Sequence, residues 1–144
     1  MGRPAWMLLG FATWTLLLLV VTVGTYRWSH IVTGKRRIGS FRADGADGAD
    51  WYLRGTRAHA NCVENLPVFG AIVFALQAAQ AHGPAIDALC TVVLVARIAQ
   101  SLVHVCRPVT DTTVSVRFAF YLVQAACFLA LGALAAVRAA GGMA

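Results

Sequence analysis

Three short sets of polar residues stand at helical spacing inside otherwise apolar sequence. Arg57, Asn61 and Glu64 fall at i, i+4 and i+7, which is one face of a helix. Arg97, Gln100, Ser101 and His104 follow at i, i+3, i+4 and i+7, and Arg117, Tyr121 and Gln124 at i, i+4 and i+7. Three arginines against one carboxylate make a cationic set, and fixed positive charge in a medium of low dielectric attracts an anion. Metal chemistry has less to work with. Cys62, Cys90, Cys106 and Cys127 form no CxxC pair and lie in or beside apolar sequence, so they read as small buried hydrophobes. The near-repeat from Ala43 to Asp50 puts Asp at every third place but lacks the spacing and closing Glu of a calcium loop. It reads as a flexible acidic linker, and no metal site is expected.

The elements that must position these residues follow from composition. The chain has 144 residues, 59% hydrophobic and 12% charged, with a mean hydropathy of +0.69. A soluble domain of this length cannot hide so much apolar surface, which excludes a soluble enzyme, a disordered chain and a conventional nucleic-acid-binding domain. The apolar residues gather in four blocks, about 5–26, 61–81, 86–105 and 114–137. Each is long enough to cross the hydrocarbon core of a bilayer as a helix. The first block has neither the short apolar region nor the small-residue cleavage site of a removable signal, so it reads as a retained helix. The fold class is therefore all-α, a four-helix integral membrane bundle in one domain. Gly83-Pro84 marks a tight turn between the second and third helices, and residues 107–111 end the third and offer a cap to the fourth.

Residues 27–60 make the one long connection and hold Arg27, Lys35, Arg36, Arg37, Arg42, Arg54 and Arg57, seven of the twelve basic residues. The positive-inside rule then turns this loop and the Arg107 turn toward the cytoplasm and both termini outward. It also accounts for the net charge of +6 without invoking nucleic acid. All three polar stripes fall at the cytoplasmic ends of their helices, within ~8–16 Å of that surface. They are expected to converge on one cationic pocket. The competing reading is structural: arginines near helix ends snorkel to headgroups, Glu64 pairs with Arg97 or Arg117 for packing, His104 is an interhelical histidine and Tyr121 an interfacial one.

The stretch from Arg57 to Phe69, with its R-A-x-x-N-x-x-E pattern, resembles the signature of the MAPEG family, the membrane-associated proteins of eicosanoid and glutathione metabolism. Lys35-Arg36-Arg37 is similar to that family's basic segment after the first helix, residues 96–101 to its third-helix motif, and residues 116–121 to its fourth-helix site. The resemblance implies a homotrimer with glutathione as co-substrate, bound between adjacent subunits near the cytoplasmic face. It implies that Asn61 and Glu64 hold the tripeptide's polar and amino groups. Arg37, Arg57 and Arg97 would meet its carboxylates, with Gln100, His104 and Tyr121 lining the same pocket. Arg117 would be the catalytic residue beside the sulfur. The chemistry is sound, since a nearby cation favours thiolate over thiol and arginine stays protonated even when partly buried. Gln100 and His104 are departures, standing where the family commonly has His and Tyr.

The resulting expectation is a glutathione transferase, with peroxidase activity as a variant, acting on a hydrophobic electrophile delivered by the bilayer. The partners are glutathione, that electrophile, membrane lipids and further copies of the chain, with no nucleic acid. The alanine-rich composition suggests a bacterial inner membrane. The alternative is a non-catalytic, lipid-binding scaffold of the same family, since a fold alone does not establish an enzyme. A small multidrug exporter fits less well, because residues 5–26 lack the acid such exporters need in their first helix.

Overall fold

The computed structural model describes residues 2–41 and 48–141. Arg42 and most of the acidic near-repeat lie outside the described residues. Among the described residues, four helices are long and apolar enough to span a membrane: α1 (Arg3–Val32), α2 (Asp50–Ala78), α3 (Pro84–Cys106) and α4 (Asp111–Gly141). The protein is a multi-pass membrane protein. At one end of the bundle, the loop end, lie the end of α1, the start of α2 and the α3–α4 turn; the start of α1, the end of α4 and the α2–α3 turn lie at the other.

The helices start and stop for local reasons. Pro4 sits in the first turn of α1 and Pro84 opens α3, where a missing N–H costs nothing. Gly83, before Pro84, takes φ 150°, a conformation that L side chains rarely adopt. α2 ends in a Schellman arrangement with Gln80 at φ 48°. The Ala81 N–H donates to the Leu76 carbonyl at 2.9 Å and the Gln80 N–H to that of Gln77 at 3.0 Å. Before α4, Thr110 and Thr113 cap each other reciprocally: the Thr113 N–H donates to Thr110 Oγ1 at 3.3 Å and the Thr110 N–H to Thr113 Oγ1 at 2.8 Å. Pro67 lies inside α2 and removes the donor that would have met the Val63 carbonyl, yet the helix continues through it.

The helices depart most from the hydropathy blocks at the loop ends of α1 and α2. α1 continues to Val32 and α2 begins at Asp50, so the expected 27–60 connection shrinks to residues 33–49. The extensions are amphipathic and are held by contacts with each other. Tyr26 of α1 stacks on Tyr52 of α2 with ring centroids 4.2 Å apart, and Arg27 Nε donates to the Tyr52 hydroxyl at 3.0 Å. Asp50 and Arg54 form an i, i+4 ion pair at 2.6 Å. Arg54 Nε also donates to the Val105 carbonyl at 3.3 Å, filling one of the carbonyls left open at the end of α3.

α2 and α3 each pack against all the other helices, while α1 and α4 flank that pair. Phe11, Phe69 and Phe128 form an aromatic ladder from α1 through α2 to α4, with each step 5.8 Å between centroids. Lipid is as apolar as this core, so cohesion comes from close packing and interhelical hydrogen bonds rather than from apolar burial. A close approach lies where α1 winds as a π-helix from Leu19 to Gly24. There Gly55 of α2 admits Thr22 so tightly that a Cβ on Gly55 would stand 2.6 Å from the Thr22 Cβ.

Candidate functional site

Arg117 lies six residues into α4, so ~9 Å from its loop-end start, and its side chain is half-buried. Its guanidinium reaches across to α3, where Nη1 donates to His104 Nδ1 at 3.0 Å. On its other side the His104 ring meets the Asn61 carboxamide of α2 at 3.2 Å from Nε2. The Arg117 backbone is held as well: Gln100 Nε2 donates to its carbonyl oxygen at 2.9 Å. Gln100 Oε1 in turn accepts from Gln124 Nε2 at 3.1 Å, and the same Gln124 amide donates to the Phe120 carbonyl at 2.9 Å. Members of all three polar stripes thus meet around one arginine, in a constellation drawn from α2, α3 and α4.

The stripes do not all converge, however. Arg97 is 1% exposed. It lies inside the protomer with its guanidinium 5.4 Å from the centre of the Phe11 ring, and its Nε and Nη2 have no hydrogen-bond partner among the described residues. Ser101, one turn on, donates to the Arg97 carbonyl at 2.8 Å and lies 3.5 Å from Cys62 Sγ, so it knits α3 to α2. Glu64 is exposed and pairs with neither Arg97 nor Arg117. Arg57, Tyr121 and Arg37 are also exposed, the last on the connection just before the short 3-10 turn Ile38–Ser40. The picture is of a shared centre around Arg117, a sealed arginine behind it, and a set of outward-facing polar groups.

Two contacts were not readable from the stripes. Gln124 is a stripe member, yet nothing in its spacing says that it would be 1% exposed and serve Gln100 rather than a ligand. His59, on a different face of α2, uses Nδ1 to reach the Thr15 carbonyl of α1 at 3.2 Å. A polar residue next to a polar stripe was the only signal for it. Among the described residues, no group of three His, Cys, Asp or Glu side chains is arranged to hold a metal ion.

Between α1 and α3 lies an open, largely apolar cavity of about 240 Å³, lined by Trp14, Leu17, Leu18, Val21, Thr22, Leu102 and Val105. Its walls offer nothing to a charged molecule and suit an alkyl or aromatic group.

One family model, described as the MAPEG family, matches residues 4–137 of the chain. This chain belongs to the MAPEG family. The match covers nearly the whole chain, so it takes in all four helices and every residue of the Arg117 centre. No individual curated protein matches the chain. As a MAPEG protein it belongs to a superfamily of glutathione and eicosanoid metabolism whose members are not all glutathione transferases.

Proposed function

We propose that this protein is a glutathione-dependent transferase, with lipid hydroperoxide reduction as a variant of the same chemistry, acting on hydrophobic electrophiles. The observation that carries the reading is Arg117: a permanently charged group, only half-buried, with its backbone and one nitrogen already held. A guanidinium has five N–H donors and His104 takes one, so the rest are free to face an anion. Beside a thiol, that charge favours ionisation. The proton leaves to water, the thiolate sulfur bonds to the electrophilic carbon, and the leaving group departs with the electron pair. With a hydroperoxide, two glutathiones give up two protons and two electrons, yielding the disulfide, the alcohol and water.

Asn61, Glu64, Arg57, Arg37 and Tyr121 are proposed to hold the tripeptide together with a neighbouring subunit. Glu64 supports this arrangement. It is exposed in the single protomer, near the loop end of the apolar part of α2. A carboxylate left facing lipid there is unfavourable, so a second copy covering that face, as in a homotrimer, relieves the cost. Arg97 is assigned no carboxylate, because it is sealed behind Phe11. By the charge of its connection, the loop end faces the cytoplasm, in keeping with a bacterial inner membrane.

The test is titration of the purified protein with glutathione, followed by thiolate ultraviolet absorbance and by conjugation of a reactive aryl halide. Wild type should show both. Arg117→Ala should still bind glutathione but lose thiolate absorbance at neutral pH, with conjugation down about ten- to hundred-fold for one to two units of thiol pKa. Wild type that binds glutathione without forming thiolate would overturn the transferase and put the lipid-binding scaffold first.

A further inference from the structure

We infer that His104 is a positioning residue that sets the guanidinium of Arg117, and that it makes no contact with the tripeptide; its catalytic meaning rests on the glutathione reading above. A guanidinium carries five N–H groups and no lone pair to offer. It donates and never accepts, so the 3.0 Å contact from Arg117 Nη1 obliges His104 Nδ1 to offer its lone pair. The single ring proton is then on Nε2. That nitrogen is 3.2 Å from the atom assigned as Asn61 Nδ2, and an NH2 there would set donor against donor. The carboxamide therefore presents Oδ1 to the ring and turns Nδ2 outward, the two ends being nearly the same size. The result is a directional chain: Arg117 donates to His104, and His104 donates to Asn61.

Both ring nitrogens are consumed inside the protomer and the residue is 9% exposed, which leaves no atom for a ligand. Gln100 is committed in the same way, its NH2 to the Arg117 carbonyl and its oxygen to Gln124. His104 and Gln100 thus share one task, one holding the Arg117 side chain and the other its backbone. A long arginine side chain loses rotamer freedom when it binds an anion, and restraint supplied in advance removes part of that loss. The restraint also aims the remaining N–H donors at one place, which is how a preorganised charge favours a developing anion.

The experiment uses the full-length protein in nanodiscs. Nitrogen-15 NMR of labelled histidine, with His104 assigned by comparison with His104→Asn, should find Nε2 protonated and Nδ1 bare. A proton on Nδ1 overturns the inference whether or not glutathione binds. In the kinetic arm, His104→Asn keeps an acceptor close to the Nδ1 position, while His104→Phe keeps the ring shape and removes it. His104→Phe should lower kcat about ten- to hundred-fold, the range for losing one hydrogen bond to a charged group, with glutathione affinity within about threefold. His104→Asn should recover most of that loss. Equal damage in both variants, or a fall in affinity as large as the fall in kcat, would sink the positioning role. A wild type without thiolate absorbance sinks the transferase reading and the catalytic part of this inference, while the NMR result still decides the hydrogen-bond chain.

Discussion

Replacing Gly55 with alanine tests the claim that close helix packing, rather than apolar burial, holds this bundle together. The added Cβ would meet Thr22 at 2.6 Å from Cβ, 2.7 Å from Oγ1 and 3.1 Å from Cγ2. Ordinary contact begins at 3.4 Å, so α1 and α2 must separate locally by about 0.8 Å, the difference between 3.4 and 2.6. Thr22 cannot swing aside cheaply, because its hydroxyl already donates to the Leu18 carbonyl at 2.6 Å and the residue is 5% exposed. Overpacking of this kind costs about 1–3 kcal/mol. Alanine returns about 0.8–1 kcal/mol of helix propensity over glycine. The net expectation is a loss of about 1 kcal/mol, or up to 2. Gly70 on the same helix is the control, since a Cβ there meets only Leu8 Cδ1, at 4.0 Å; Gly70→Ala should gain what Gly55→Ala forfeits. Thermal unfolding in one detergent compares the two at a scale of about 2–4 °C per kcal/mol. If Gly55→Ala proves as stable as wild type, or if the two alanines behave alike, the close α1–α2 approach is not a structural determinant.

Other perturbations separate the remaining elements. Gln124→Leu should destabilise the fold by about 1–2 kcal/mol, the worth of an interhelical hydrogen bond in lipid, because it frees Gln100 from its α4 partner; unchanged denaturation would show the pair to be idle. Glu64→Gln should weaken glutathione binding about ten- to hundred-fold, measured by calorimetry, if its charge meets the tripeptide's amino group; an unchanged Kd would leave Glu64 a purely subunit-facing residue. For orientation, Ser40→Cys in sealed vesicles should react with an impermeant thiol reagent from the cytoplasmic side and Ala140→Cys from the other, in a background lacking Cys106, the exposed native thiol. The reverse pattern would invert the topology.

The sequence carried the number of spans and the grouping of Asn61, His104 and Arg117, because a bilayer demands long apolar runs and makes any polar residue inside them conspicuous. Element ends were less legible. Arg27, His30, Asp50 and Arg54 look like loop residues by hydropathy, yet they are helical because Tyr26, Tyr52 and the Asp50–Arg54 pair tie the two extensions together. Arg97 was unreadable for a different reason. Its periodicity places it on the same stripe as His104, but periodicity is blind to depth and to which neighbour a face meets, and here that neighbour is the Phe11 ring. Gln100 and Gln124 read as ligand groups or as packing with equal ease, since an amide serves both, and only the pairing of their ends decides.

The π-helical turn in α1 works as a phase corrector. Phe11 and Tyr26 are fifteen residues apart and must both face α2, where they meet Phe69 and Tyr52. At ~100° per residue an α-helix covering that interval overshoots by about 60°, enough to swing the tyrosine toward lipid. A turn closed by i→i+5 bonds winds fewer degrees per residue and takes up the surplus. α1 is therefore two helical phases joined at residues 19–24, one keyed to the middle of α2 and one to its loop end. Length changes in this helix are not equivalent. A residue removed within the π turn tightens that turn to α geometry and leaves both halves facing inward. The same deletion above or below it rotates one half by a full residue step and breaks either the phenylalanine ladder or the tyrosine stack.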